Sequence, residues 1–111
     1  MSKTIAIEPD VLVKFKTILS QHLPQNTTVY IFGSRVTGKA KPYSDIDVAL
    51  SNDDQLIQEK IMGDLRISFE FSDLPYKVDI VDLNAISKEF KAFIQPELVE
   101  LEDLRINDSR F

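Results

Sequence analysis

Apolar residues recur every three to four positions at Val11, Leu12, Phe15, Ile18, Leu19 and Leu23. That is the period of an amphipathic helix, so the pattern predicts one over residues 9–23. Pro9 suits a first helical turn, and Pro24 and Asn26 punctuate its end. The period then shortens. TVYIFG at 28–33 is β-branched and aromatic and reads as a strand ending at glycine. Residues 34–40 have room for one or two helical turns before Pro42 stops them. DIDVALS at 45–51 alternates at its start and reads as a second strand. Leu56, Ile57, Ile61, Leu65 and Phe69 return to helical spacing over 53–71, and SDLP at 72–75 breaks the chain. KVDIVDL at 77–83 is a third strand. From Ser87, Phe90, Phe93 and Ile94 indicate another helix, broken near Pro96. A last apolar stripe runs from Leu98 through Val99 and Leu101 to Leu104. It suits packing within the chain better than docking of a partner. The order α-β-α-β-α-β-α implies an α/β (α+β) domain, a small sheet covered by helices.

The chain has 111 residues, which suits one domain over 1–111 with one core. No apolar run is long enough to span a membrane, and the start, MSKTIAIEPD, lacks the apolar segment of a signal peptide. With no cysteine, disulfides and thiolate metal sites are excluded, and a cytoplasmic setting is expected. Net charge is −5, which argues against broad nucleic-acid binding. Arg35, Lys39 and Lys41 nevertheless form a local basic group. His22 is the only histidine, so a bound metal would rely mainly on oxygen ligands.

The stretch GSRVTGKAKPYSDID at 33–47 holds the chemistry, and it admits two readings. Gly33, Gly38 and Lys39 match the spacing of a phosphate-binding P-loop. The position that should carry a metal-binding hydroxyl is Ala40, however. Pro42 falls where the following helix should gain its first turns, and Lys41 before it is biased out of helical geometry. Gly38-Lys39 is then an exposed turn.

The second reading rests on carboxylates. Asp45 and Asp47 are two apart in a strand, so they share a face, roughly 6.5 Å apart. Asp79 interrupts the apolar third strand. Beside the second strand it would come within roughly 5 Å of a partner. Clustered carboxylates raise one another's pKa values, an arrangement suited to hard divalent cations. Asp82 is odd-spaced from Asp79 and faces the other way. Gly33-Ser34, just upstream, could hold phosphates through backbone amides and one hydroxyl.

Gly33-Ser34, ten intervening residues, Asp45-Ile46-Asp47 and then Asp79 in a hydrophobic strand complete the pattern G-S-x10-D-x-D. Together with FGSRVTGKAKPYSDIDVAL, they resemble the minimal nucleotidyltransferases of the DNA polymerase beta superfamily, over about residues 10–95. The resemblance implies a nucleotidyltransferase fold, a small mixed sheet flanked by helices. It implies that Gly33 and Ser34 bind the triphosphate of an incoming nucleotide, with Arg35 and Lys41 adding charge nearby unless Arg35 is a surface residue. Asp45, Asp47 and Asp79 would hold two Mg2+ ions, and Asp79 would help deprotonate the acceptor hydroxyl. That hydroxyl would attack the α-phosphate of an NTP, with ATP expected, and release pyrophosphate. The family also implies a small helical partner protein of the HEPN or a related substrate-binding type, in some pairs as an antitoxin that adenylylates a toxic ribonuclease. A homodimer or hetero-oligomer is compatible with this. The alternative is a non-catalytic antitoxin or assembly subunit that acts only by binding its partner.

Overall fold

The computed structural model describes residues 4–101. Helix α1 spans Pro9–His22 and strand β1 Thr27–Phe32. Short helix α2 spans Ser34–Thr37, and strand β2 spans Ile46–Asn52. Helix α3 spans Glu59–Glu70, strand β3 Val78–Asp82, helix α4 Lys88–Ile94 and strand β4 Val99–Glu100.

The strands form one sheet in the order β3-β2-β1-β4. β1 pairs antiparallel with both β2 and β4, whereas β2 and β3 are parallel. The sheet is therefore mixed. A parallel pair needs a crossover of a dozen or more residues, and the segment carrying α3 supplies it.

Period-two alternation sends successive side chains to opposite faces. Val29, Ile31, Ile46, Val48, Leu50 and Ile80 pack against α1 and α3, which contribute Val11, Phe15, Leu19, Met62, Leu65 and Phe69. The rings of Phe15 and Phe69 stack with centroids 5.5 Å apart, joining the two helices. His22 Nε2 and the Ser68 hydroxyl add a 2.7 Å hydrogen bond between them. The other face carries Phe32, Ala49 and Leu83, covered in part by Ile94 of α4. Phe90 of α4 meets Phe32 edge-on. Ser87 caps α4, its hydroxyl accepting from Phe90 N–H at 3.1 Å.

One expectation changes in its bounds. The third helix begins at Glu59 rather than near 53, because the chain reverses first. Asp53 adopts φ 51°, and Gln55 N–H donates to Asn52 carbonyl at 2.9 Å. Leu56, counted on the helical stripe, is consequently exposed. The final apolar stripe packs within the chain, as its pattern suggested. It enters the sheet as β4, with Val99 opposite Ile31 and Leu101 N–H donating to Val29 carbonyl at 2.8 Å. Leu101 is buried, and Leu104 lies outside the described residues. Among the described residues, no helix is long and apolar enough to cross a membrane.

Candidate active site

β2 is flanked by β1 and β3, so its residues have a neighbour on each side. Asp47 lies opposite Phe32 on β1 and opposite Asp79 on β3. Asp47 and Asp79 are thus directly paired across the parallel register, on strands about 5 Å apart. Asp45 sits one residue before β2 begins, where Ile46 N–H donates to Lys77 carbonyl at 2.8 Å. Alternation turns Ile46 and Val48 into the core and leaves Asp47 half-buried on the less covered face.

Burial, first, and then the charges of Asp79, Asp45 and Glu97 push the Asp47 carboxyl up to about 6. Desolvation and like charge act in the same direction here. Asp79 is exposed, on a strand that pairs only with β2 among the described residues. It also lines a cleft of about 540 Å³ between α3 and β3, with Arg66, Phe69, Tyr76 and Lys77.

Gly33 turns the chain from β1 into α2 at φ 81°, ψ −158°, a conformation essentially confined to glycine. A Cβ at this position would also collide with the Asp47 carboxylate. The sequence therefore places glycine where β1 ends because Asp47 needs that space. Gly33 N–H donates to Glu97 Oε1 at 2.9 Å. The neighbouring Ser34 is half-buried. Helix α2 ends at Thr37 because Gly38 takes a left-handed conformation, φ 82°. Lys39 and Lys41 are exposed beyond it. No helix follows Gly38-Lys39, so the P-loop geometry is absent.

Arg35 departs from both expectations held for it. It is neither a surface residue nor turned outward to add charge to a nucleotide, but buried at 5% exposure. Its Nη1 donates to Ala6 carbonyl at 2.7 Å. Its Nε and Nη2 both donate to Ser44 carbonyl, at 3.1 and 2.8 Å. The guanidinium stacks on Tyr76, 3.9 Å from the ring centroid, and Tyr76 hydroxyl donates to Glu8 carboxylate at 2.8 Å. A planar cation with forked donors can satisfy several carbonyls at once. Arg35 thus ties the N-terminal segment, the connector leading into Asp45 and the segment leading into β3. Its burial also reduces the local basic group to Lys39 and Lys41.

Asp82 does face away, as its spacing requires. Its Oδ2 accepts from Ile57 N–H at 2.8 Å and its Oδ1 from Asn84 N–H at 2.9 Å. It is a buried brace for the turn into α3. Glu97 is the one carboxylate near Asp47 that sequence reasoning did not single out. It lies 64 residues from Gly33, next to a helix-breaking proline, and no local pattern marks it.

The donor set consists of carboxylate oxygens, which fits a hard divalent cation. Among the described residues, no three acidic side chains converge closely enough to ligate one ion in this arrangement. The paired, mutually repelling carboxylates are the feature that a cation would relieve.

A family model described as polymerase beta, nucleotidyltransferase, matches residues 14–102, and the chain belongs to that family. It is a nucleotidyltransferase. More particularly, it is 40% identical over 98 residues to a probable protein adenylyltransferase, MntA, of Haemophilus influenzae. The match spans 87% of this chain and 83% of the relative. A crystal structure of a toxin–antitoxin with AMP-PNP is similar with a TM-score of 0.66 at 23% identity, over 85% of this chain and 72% of that one. A substituted MntA–HpeT toxin–antitoxin gives 0.62 at 22% identity, over 79% and 69%. At these identities the two structures establish a shared fold.

Proposed function

We propose that this protein is a Mg2+-dependent adenylyltransferase that moves AMP from ATP to a hydroxyl on a small helical partner protein. The observation that carries the reading is the direct pairing of Asp47 with Asp79, with the Asp47 carboxyl raised to about 6 by burial and neighbouring carboxylates. Such a perturbed carboxylate cluster is what a metal-assisted transfer site requires.

In this reading Asp45, Asp47 and Asp79 hold two Mg2+ ions. Bound there, the ions supply Lewis acidity and neutralise charge on the phosphates. Gly33 and Ser34 hold the triphosphate through a backbone amide and a hydroxyl. Asp79, exposed on the edge strand beside Asp47, receives the acceptor and takes its proton. The acceptor oxygen then forms a bond to the α-phosphorus as the bond to pyrophosphate breaks. In this reading Asp47, on the strand between β1 and β3, contacts both halves of the reaction. Arg35 contributes by holding the connector that delivers Asp45, rather than by touching the nucleotide.

The partner is of the HEPN or a related type, and the modification serves as an antitoxin activity. The similarity to a protein adenylyltransferase supports a protein acceptor. The test is incubation of the chain and a co-encoded helical protein with labelled ATP, then separately with labelled GTP, CTP and UTP, each with Mg2+. Mg2+-dependent transfer from ATP to a partner hydroxyl, lost in Asp47→Asn, is expected. Neutralisation of the partner's toxicity by Asp47→Asn without any transfer would instead mean that binding alone is the function.

A further inference from the structure

Glu97 occupies the Gly33 N–H that the proposed site offers to a phosphate. Its Oε1 accepts that hydrogen bond at 2.9 Å. The carboxylate does not drift there on a loose segment. It is carried by the tight turn Gln95–Glu97, between α4 and β4. Ile94 before the turn is buried and Leu98 after it packs on the same cluster. Val99 is already in register with Ile31. The side chain itself is only half-buried, so it can rotate outward while the turn stays fixed.

Its position is electrostatically awkward. Glu97 reaches the same Gly33 turn against which the Asp47 carboxylate packs, so two carboxylates crowd one glycine. An anion placed among anions needs a compensating donor, and the Gly33 amide is the donor it has found. A phosphate oxygen would use the same amide in the same way. One N–H cannot serve both at full strength.

We propose that Glu97 is a phosphate surrogate: in the free protein it fills the phosphate position at Gly33 N–H, and nucleotide binding displaces it. Glu97 thereby sets nucleotide affinity, lowering it through both occupancy and charge. The inference rests on the reading of Gly33-Ser34 as the phosphate holder.

The experiment measures binding of Mg2+-ATP and Mg2+-triphosphate to the full chain, in wild type, E97A and E97Q, with thermal unfolding used to verify that each variant is folded. E97A should bind both probes about tenfold more tightly, each tenfold corresponding to about 1.4 kcal/mol. E97Q should gain less, because its amide oxygen can still accept from Gly33 while its charge is gone. Triphosphate lacks a base, so an equal gain for both probes locates the effect at the phosphates. The glycine amide resonances give a second readout, since the chain has only three glycines. The Gly33 amide should shift upfield in E97A and return downfield when either probe is added.

Unchanged or weaker binding by E97A, with wild type binding normally, would overturn the surrogate and leave the nucleotide site standing. Glu97 would then be a clamp on the Gly33 turn. No binding by any folded variant would remove the nucleotide site and the surrogate together. A Gly33 amide unmoved by bound nucleotide would also overturn the surrogate.

Discussion

The two faces of the sheet are made from alternate residues of the same strands, yet they are packed to opposite ends. On the face toward α1 and α3, sixteen buried residues of the described chain form one cluster, from Ile7 to Leu101. On the other face the buried cluster is Phe32, Ala49, Leu83 and Ile94, and Asp47 stands at its margin among other carboxylates. The first face is closed by two helices and stabilises the fold through apolar burial. The second is covered by one short helix, and its remaining area carries charge that the fold opposes. Stability and chemistry are separated by the pleat of the strand. Each β2 residue that supports the core has a neighbour that is free to do something else.

The strongest way to break that contrast is Phe15→Ala, on the closed face. Phe15 is fully buried against Phe69. Truncation should cost about 4 kcal/mol, a fall in Tm of about 15 °C for a domain of this size. Thermal unfolding of the variant checks it, and a loss below 1 kcal/mol would mean that the face is not the main source of stability.

Next is Arg35→Ala, at the margin between the faces. Removing the guanidinium strands carbonyls of Ala6 and Ser44 and should cost about 3 kcal/mol. Arg35→Lys should recover little of this, because an ammonium cannot fork between these acceptors or stack on Tyr76 in the same way. If Arg35→Ala left Tm intact but weakened nucleotide binding, the guanidinium would belong to the nucleotide after all.

Asp47→Asn should move stability the other way. The folded Asp47 carboxyl titrates at about 6, above its unfolded value near 4. Between these values the folded state holds the extra proton, so stability from this group is full below pH ~4 and lost as pH rises through ~6. Asparagine carries no such penalty. Two pKa units correspond to roughly 3 kcal/mol, and solvent screening of a half-exposed group reduces this to about 1 kcal/mol. The variant should therefore be about 4 °C more stable than wild type at pH 7 in EDTA, with the difference vanishing by pH 4. Destabilisation at pH 7 would show that the open face is not under electrostatic strain.

The smallest effect belongs to a pair remote from both faces. Lys14 Nζ and Asp73 lie 2.8 Å apart with both side chains largely in solvent. Exposed ion pairs contribute little, so Lys14→Ala should leave Tm within measurement error at 150 mM salt. A clear drop would give surface charge a role that neither face requires.

Much of the fold could be read because its signals are local. Val11, Phe15 and Leu19 lie on one helical stripe whatever they pack against, and TVYIF alternates regardless of its partners. The errors fall where a tertiary contact overrides local preference. Leu56 matches the α3 stripe, but the turn at Asn52–Gln55 and the grip of Asp82 on Ile57 N–H delay the helix to Glu59. Val99 and Glu100 are too short a run to announce a strand, and they become one because β1 presents an open edge. Arg35 looked like surface or phosphate-side charge, since its carbonyl acceptors on Ala6 and Ser44 leave no trace in the residues around it.

The sequence alone determined the alternation that assigns each strand residue to a face. It also determined the Gly33-Ser34 turn at the end of β1 and the spacing that sets Asp45 and Asp47 on one strand approach. Those are properties of neighbouring residues, set by backbone geometry and side-chain size. Only the tertiary structure decided that β3 lies parallel to β2 with Asp79 opposite Asp47, that Arg35 turns inward, and that Glu97 reaches Gly33 from 64 residues away. Strand partnership and burial depend on which distant surfaces can be covered together, and that is a property of the whole packed chain.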